Sequence, residues 1–199
     1  RILWDILVGV LHIERPSYLD VGAWEPIRDS NTFLLYEAGS AGVLVEPNPN
    51  CWDRLLTVRP RDRVIRAGLA FSDQKEAEYH RQGDGAGNTF SKDLAANMVI
   101  QDRLTLPLVG FDEIIEQNFS GHPNLVSLDV GGLDMEVLQR FNFDKWRPEV
   151  FCIETLIPAI RIIRHVAKLV PVHLRHLVST QLITLQAGQH PIAGVVHAA

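Results

Sequence analysis

Cysteine is scarce in this chain, and the two cysteines do not have a metal-binding spacing. Cys51 and Cys152 form neither a C-x-x-C pair nor a disulfide framework. The histidines give no better pattern, because His165, His173 and His176 have no carboxylate neighbours in the sequence. We therefore predict no metal site. Both cysteines are interpreted as packing residues in a reducing compartment, and the cytoplasm is the expected location.

Long apolar runs are also missing. The apolar stretch at residues 2–13 is shorter than the ~20 residues that a membrane-spanning helix needs, and Asp5 interrupts it. It also lacks the small-residue cleavage site of a signal peptide. We predict no transmembrane segment and expect residues 2–13 to form a helix that packs on a sheet. With 46% hydrophobic residues, the 199-residue chain can bury the core of one domain.

Negative charge is absent from the last part of the chain. The first 154 residues carry 15 basic and 24 acidic residues, a net charge of −9, whereas residues 155–199 carry +4 and no acid. Such a shift marks a boundary. Residues 1–154 are predicted to form the main domain. Residues 155–199 are predicted to be a divergent basic segment, helical and packed on that domain, or alternatively a surface that contacts a membrane or partner. The overall charge of −5 indicates no general nucleic-acid affinity.

A strand–helix–strand unit is nevertheless clear near the N-terminus. Residues 18–21 are short, apolar and β-prone, and Gly22 ends them with the conformational freedom of a sharp turn. Residues 43–45 form a second buried strand, which Glu46 and Pro47 close. Ligands of parallel sheets bind at the carboxyl ends of the strands, where Gly22 and Glu46 fall.

The glycine-rich motif of dinucleotide-binding proteins is lacking in this unit. The G-x-G-x-x-G pattern lets backbone amides approach a pyrophosphate. Here Gly22 stands alone and is followed by Ala23, Trp24 and Glu25. Glu46, 24 residues after Gly22, is still well placed to accept hydrogen bonds from a ribose diol. A ribose without phosphates suggests S-adenosylmethionine. The simpler alternative is an α/β domain with an ordinary turn.

Strand and helix patterns alternate along the rest of the chain. Strands are predicted at residues 63–71, 76–81, 104–109, 125–130 and 150–154, and helices at 50–58, 111–118 and 134–141. This alternation favours a mainly parallel sheet with right-handed crossovers, which is a three-layer, doubly wound α/β fold. The C-terminal strands of such a fold cannot be assigned within residues 155–199. Asp134 is expected to cap its helix, and Trp24 is expected to pack in the interior.

Five sequence blocks resemble the FkbM family of S-adenosylmethionine-dependent methyltransferases. They are Asp20-Val-Gly-Ala23, Asp29-Ser-Asn-Thr32, Val45-Glu-Pro-Asn-Pro49, Ser127-Leu-Asp-Val-x-Gly-Leu-Asp134 and Ile153-Glu154. Their order and spacing are similar to the family's over residues 15–155. The resemblance implies a Rossmann-like class I methyltransferase fold, with a seven-stranded sheet when complete. It also implies O-methylation, often of hydroxyls in glycans or natural products.

The resemblance also implies roles for individual residues. Asp20, Gly22 and Ala23 would form the cofactor turn, Asn31 and Thr32 would line the methionine end, Glu46 and Pro47 would hold the ribose, Gly68 and Leu69 would lie near the adenine, and Asp129 and Glu154 would face the transferable methyl group. A carboxylate near the acceptor hydroxyl can act as general base, so Asp129 is the expected base and Glu154 its partner or an orienter of the substrate.

One position departs from the family pattern. Where the family has glutamate, this chain has Gly131, so one acid of the site is absent. A side chain at this position is expected to point into the acceptor mouth, and Gly131→Glu is predicted to raise methyl transfer. The alternative function is a non-catalytic relative that serves as a binding or scaffold domain. The intact Asp20, Glu46, Asp129 and Glu154 favour the enzyme.

Overall fold

The computed structural model describes residues 1–83, 85, 87–153, 182–187 and 190–197. Its helices are α1 (Ile2–Trp4), α2 (Phe33–Glu37), α3 (Pro49–Val58), α4 (Lys92–Ala95), α5 (Phe111–Asn118) and α6 (Asp134–Arg140), and a π-helix, Asp5–Val10, follows α1. Its strands are β1 (Tyr18–Val21), β2 (Gly42–Val45), β3 (Arg63–Ile65), β4 (Gly68–Ala70), β5 (Glu76–Arg81), β6 (Asp102–Gly110), β7 (Leu125–Leu128), β8 (Val150–Ile153), β9 (Leu182–Ala187) and β10 (His190–His197).

The main sheet has the strand order β3-β2-β1-β7-β8-β10-β9. The first five of these strands run parallel, β10 continues the sheet parallel to β8, and β9 is antiparallel to β10. From β1 the sheet continues through β2 to β3 on one side, and from β7 it continues through β8 on the other side. The switch point therefore lies between β1 and β7, where open α/β sheets bind ligands. The predicted α/β fold is confirmed.

Helices cover both faces of this sheet, because neighbouring residues of a strand point to opposite sides. One core cluster combines alternate strand residues with α5 and α6: Leu19, Val21, Val43, Val45, Val126, Leu128, Phe151 and Ile153 contact Ile114, Ile115, Val137 and Leu138. The other cluster is formed by the intervening strand residues, the N-terminal helical turns, α2 and α3: Tyr18, Leu44, Leu125, Val150 and Cys152 contact Leu3, Leu7, Leu35 and Leu55. The sheet and the helices packed on its two faces are the three predicted layers, and the two clusters are the apolar interfaces between them.

The predicted third strand, residues 63–71, is wrong as a single element. Its first part is β3 in the main sheet, whereas β4 belongs to a second sheet with the order β4-β6-β5. A Cβ atom on Gly68 would lie 2.4 Å from the Phe90 ring, so a larger residue there would displace this ring. The chain thus leaves the main sheet after Ile65 and brings β4 to a separate strand partner.

The C-terminal segment contributes strands β9 and β10 to the main sheet. The two helices predicted at residues 157–185 lie mostly outside the described part of the chain. The helical expectation is wrong for residues 182–187 and 190–197, which are strands. The division at residue 154 remains a prediction. Among the described helices, none is long and apolar enough to cross a membrane. Cys51 and Cys152 are buried free thiols, and burial raises the pKa of both to about 12.

Candidate functional site

A cavity lies at the carboxyl ends of β1, β2 and β7. Gly22, Glu46 and Asp129 follow these three strands directly, and all three line the cavity. Their roles as site residues remain a prediction. The second sheet and the loop after β5 form its other walls. The cavity encloses about 90 Å³. The parallel strands bring three residues from distant parts of the chain to one edge of the sheet.

Gly22 brings the ends of β1 and β7 close together at this edge. Its φ is +85°, and a Cβ atom there would lie 1.8 Å from the carbonyl oxygen of Asp129. The Gly22 amide donates to the Val45 carbonyl at 2.9 Å, and the Asp129 amide donates to the Val21 carbonyl at 2.9 Å. No other residue type fits this position without movement of the backbone. The turn therefore joins all three strand ends.

Glu46 is a buried carboxylate held by backbone amides. Its Oε2 accepts a hydrogen bond from the Trp24 amide and its Oε1 accepts one from the Asn48 amide, both at 2.7 Å. Burial raises the pKa of Glu46 to about 7, although the two amides oppose this shift. Asp20 adds a smaller rise in this pKa through its negative charge. Each oxygen can accept a further hydrogen bond, so the carboxylate can still bind a pair of hydroxyl groups.

Trp24 lines the cavity although the sequence favoured a packing role. Its φ is +41°, which is uncommon for a bulky residue and strains the backbone. This conformation directs the Trp24 amide at Glu46, while the indole ring forms part of the cavity wall. The sequence signal for a role in the site was a tryptophan close to the turn glycine, and this signal fits packing and ligand binding equally well.

The second sheet supplies the aromatic part of the wall. Gly68 and Leu69 line the cavity, and their expected place near an adenine ring remains a prediction. They are joined by Tyr79 of β5 and by Phe90, whose ring centroids are 4.7 Å apart. Sequence reasoning missed both aromatic residues, because only the pairing of β4, β5 and β6 brings them to this edge.

Pro47 also lines the cavity, but four other predicted cofactor residues do not. Ala23 is buried beside the turn. Asp20 accepts a hydrogen bond from Thr32 Oγ1 at 2.6 Å, and Asn31 Nδ2 donates to Ser127 Oγ at 3.2 Å. Strand alternation explains the placement of Asp20, because Asp20 and Val21 point to opposite faces. Contact between these four residues and a cofactor stays a prediction.

The turn after β7 differs from its prediction in two respects. Gly131 has a φ of +59°, and a Cβ atom there would lie 2.7 Å from the Asn88 carbonyl oxygen. Thr89 Oγ1 donates to the Gly131 carbonyl at 2.9 Å. A side chain at Gly131 would therefore meet the loop after β5. The predicted capping role of Asp134 is wrong, since it is the first residue of α6 and accepts from the Val130 amide at 3.2 Å.

Glu154, the second predicted catalytic acid, lies outside the described residues. Strand β8 ends immediately before it, and its last residue, Ile153, pairs with Leu128. Leu128 in turn directly precedes Asp129. The role of Glu154 remains a prediction.

The strand order, the glycine turn at the switch point and the buried acid after β2 together define a Rossmann-like, methyltransferase-type α/β domain. Comparison with family models places it more closely. The methyltransferase FkbM domain model matches residues 20–166, and the chain belongs to that family. No curated protein and no solved structure matches the chain significantly.

Proposed function

We propose that this methyltransferase uses S-adenosylmethionine and methylates a hydroxyl group of a saccharide or natural-product acceptor. The observation that carries the proposal is the arrangement of Glu46 and Asp129, which line one cavity on either side of the Gly22 turn. One carboxylate suits a ribose and the other suits an acceptor hydroxyl. Family membership supports the reaction class, and these side chains support its details.

The residues of the cavity fit the cofactor chemically. Glu46 is anchored by two amides and has lone pairs left for the two ribose hydroxyls. Leu69, Tyr79 and Phe90 give an apolar and aromatic wall of the kind that an adenine ring requires. The volume of about 90 Å³ is below the ~300–1,000 Å³ of typical ligand pockets.

The chemistry required of the protein is modest. The cofactor supplies a methyl group that is already activated by its sulfonium. Asp129 accepts the proton that the acceptor hydroxyl loses. General-base catalysis of this kind raises the rate roughly 10²- to 10⁴-fold. Alignment of the hydroxyl with the methyl group supplies much of the rest. Glu154 is proposed as the partner of Asp129.

A second, polar cavity supports a hydroxyl-rich acceptor. It shares Gly85 and Asn88 with the first cavity. Its lining is dominated by amide and charged side chains, namely Asn48, Asn50, Arg81, Gln82, Asn88, Gln101 and Asp102. Amides offer both donors and acceptors, which suits the hydroxyl groups of a sugar or polyketide. We also propose a cytoplasmic location, in keeping with the two buried free thiols.

Calorimetric titration with S-adenosylmethionine and S-adenosylhomocysteine tests cofactor use. Glu46→Gln should weaken binding roughly ten- to a hundredfold, because a charge-assisted hydrogen bond contributes about 1.5–3 kcal/mol. Glu25→Gln is the matched control, since Glu25 pairs with Arg54 and does not line the cavity. Absence of binding to the unmodified protein would contradict cofactor use. Equal affinities for both variants would remove Glu46 from the site.

A methyl-transfer screen over saccharide and natural-product hydroxyls tests the reaction. Asp129→Asn should lower kcat by about 10²-fold or more with cofactor affinity retained, as expected for loss of a general base. Asp53→Asn, at an exposed position of α3, is the control. If the protein binds cofactor but transfers no methyl group to any hydroxyl acceptor, the non-catalytic binding domain becomes the better interpretation.

A further inference from the structure

Arg59 is fully buried at the C-terminal end of α3, with 0% of its surface exposed. Its Nε donates to Asp62 Oδ2 at 2.7 Å. Its Nη2 donates to Tyr18 OH at 3.1 Å and to Thr32 Oγ1 at 2.9 Å, and its Nη1 donates to Ser30 Oγ at 3.1 Å. Burying a guanidinium is costly unless its donors are satisfied, and here four different side chains accept from it.

These contacts form two branches. The first branch is structural: Asp62 Oδ1 accepts from Tyr18 OH and from the Gly42 amide, both at 2.8 Å, which ties α3 to the beginning of β1 and β2. The second branch leads toward the candidate site. Thr32 accepts from Arg59 and donates to Asp20, which lies two residues before the Gly22 turn.

Because of the second branch, the Thr32 hydroxyl does not cap helix α2. Thr32 is the N-cap residue of α2, a position where threonine normally bonds the free amides of the first helical turn. Its hydroxyl makes no such bond here, because it is engaged by Arg59 and Asp20. Helix α2 therefore lacks a side-chain cap, and the hydrogen bonds of Thr32 instead fix the position of residues 30–32.

The chain between the Gly22 turn and α2 needs such an anchor. Within residues 22–32, Trp24 has a φ of +41°, which is unfavourable for a bulky residue. Asp29 has a φ of +59°, a left-handed conformation that aspartate adopts more readily. Strained backbone persists only where the surrounding structure holds it. The two ends of this segment are fixed differently: the Trp24 amide is bound to Glu46, and Ser30 and Thr32 are bound to Arg59.

We propose that Arg59 is a positioning residue for cofactor binding, acting through Thr32 and Asp20 on residues 22–32. This inference rests on the proposed function, because it assigns Arg59 to the same site. Arg59 holds Ser30 and Thr32 on either side of Asn31, whose amide donates to Ser127 on β7. It thereby holds the strained segment in the conformation that directs the Trp24 amide at Glu46.

The two branches provide a matched pair of variants. Thr32→Val and Tyr18→Phe each remove one buried hydroxyl that accepts a hydrogen bond from Arg59 Nη2. Only Thr32→Val also removes the hydrogen bond to Asp20. In calorimetric titration with S-adenosylmethionine, Thr32→Val should raise Kd about tenfold and Tyr18→Phe less than about threefold. In methyl-transfer kinetics, Thr32→Val should raise the cofactor KM while kcat changes little. Equal effects of the two variants would overturn the proposal.

A double-mutant cycle tests the route of the effect. If Arg59 acts through Thr32, Arg59→Met and Thr32→Val should be strongly non-additive in cofactor affinity, and Arg59→Lys should restore part of the loss. Additive effects would overturn the relay. Should Arg59→Met fail to fold, the cycle is made with Arg59→Lys, which keeps the charge opposite Asp62.

Amide hydrogen exchange without ligand separates this proposal from the proposed function. Thr32→Val should speed exchange in residues 22–32 about tenfold relative to Tyr18→Phe at equal global stability. If the unmodified protein binds no S-adenosylmethionine, the proposed function fails, yet faster exchange would still support the positioning of this segment. Unchanged exchange in Thr32→Val would overturn the positioning role even if the protein binds cofactor.

Discussion

The two faces of the main sheet differ where they approach the candidate site. The face covered by α5 and α6 is packed with apolar side chains, and it leads to a cavity with an aromatic wall. The face covered by α2 and α3 contains a buried polar cluster around Arg59 within its apolar core. Apolar packing gives a site its shape without specifying exact angles. Directional hydrogen bonds fix a backbone segment in one conformation, which is what the segment between Gly22 and α2 requires.

The largest effect should come from breaking the polar cluster. Arg59→Met leaves the carboxylate of Asp62 buried without its cation, so the free energy of unfolding should fall by about 3–5 kcal/mol. Urea denaturation measures this loss. Arg147→Met is the control: it removes an exposed pair with Asp144 and should cost no more than about 1 kcal/mol. A loss below about 1 kcal/mol for Arg59→Met would show that the polar cluster contributes little to stability.

The next effect concerns the point where the two faces meet the cavity. Gly22→Ala combines a strained φ with a Cβ atom 1.8 Å from the Asp129 carbonyl oxygen, and it should cost about 3–4 kcal/mol and abolish cofactor binding. Gly39→Ala separates the two causes. Gly39 has a similar φ of +99°, but no atom lies within 4 Å of the place that a Cβ would occupy. Its replacement should therefore cost only about 1 kcal/mol. Similar thermal stabilities for the two variants would contradict the close approach at Gly22.

The buried carboxylate at the cavity makes stability depend on pH. The pKa of Glu46 rises from 4.5 to about 7 on folding, so the folded protein holds this proton to higher pH than the unfolded chain. The associated stability is fully present below pH 4.5 and is lost as pH rises through about 7, a change of about 3 kcal/mol. The difference in Tm between the unmodified protein and Glu46→Gln should therefore change between pH 5 and pH 8. A constant difference would contradict the raised pKa.

Cofactor affinity should show the opposite dependence on pH. Ribose hydroxyls donate to the ionised carboxylate, so binding should tighten as pH rises through about 7 and then level off. Below that pH the Kd should change by up to about tenfold per unit, since one proton must be lost on binding. Titration at several pH values measures this, and Glu46→Gln should remove the dependence.

The smallest effect should come from Gly131. Gly131 has a positive φ, and a Cβ atom there would lie 2.7 Å from the Asn88 carbonyl oxygen. Gly131→Ala should therefore lower the free energy of unfolding by about 2 kcal/mol. Gly131→Glu should be destabilised similarly and should not raise methyl transfer, contrary to the expectation from the family pattern. Thermal melting and a transfer assay check both statements. A stable, more active Gly131→Glu variant would show that the loop after β5 moves aside easily.

Local sequence patterns were enough to predict most elements and the edge at which the cavity lies. The apolar patterns before Gly22 and after Asn124 predicted β1 and β7, and the amphipathic pattern of residues 111–118 predicted α5. Gly22, Glu46 and Asp129 could be brought together because the carboxyl ends of parallel strands meet at one edge. These inferences depend only on residues close together in the chain and on the general geometry of parallel sheets.

The side chains that reach the cavity were fixed by tertiary packing. Strand alternation turned Asp20 away from Val21 and into the polar cluster, and this part could have been predicted from the period of two. The pairing of β4 with β6 brought Tyr79 and Phe90 to the wall, and Arg59 reached Thr32 across 27 residues of sequence. Such contacts join segments that are far apart in the chain. Their geometry depends on how whole elements pack, which no local pattern contains.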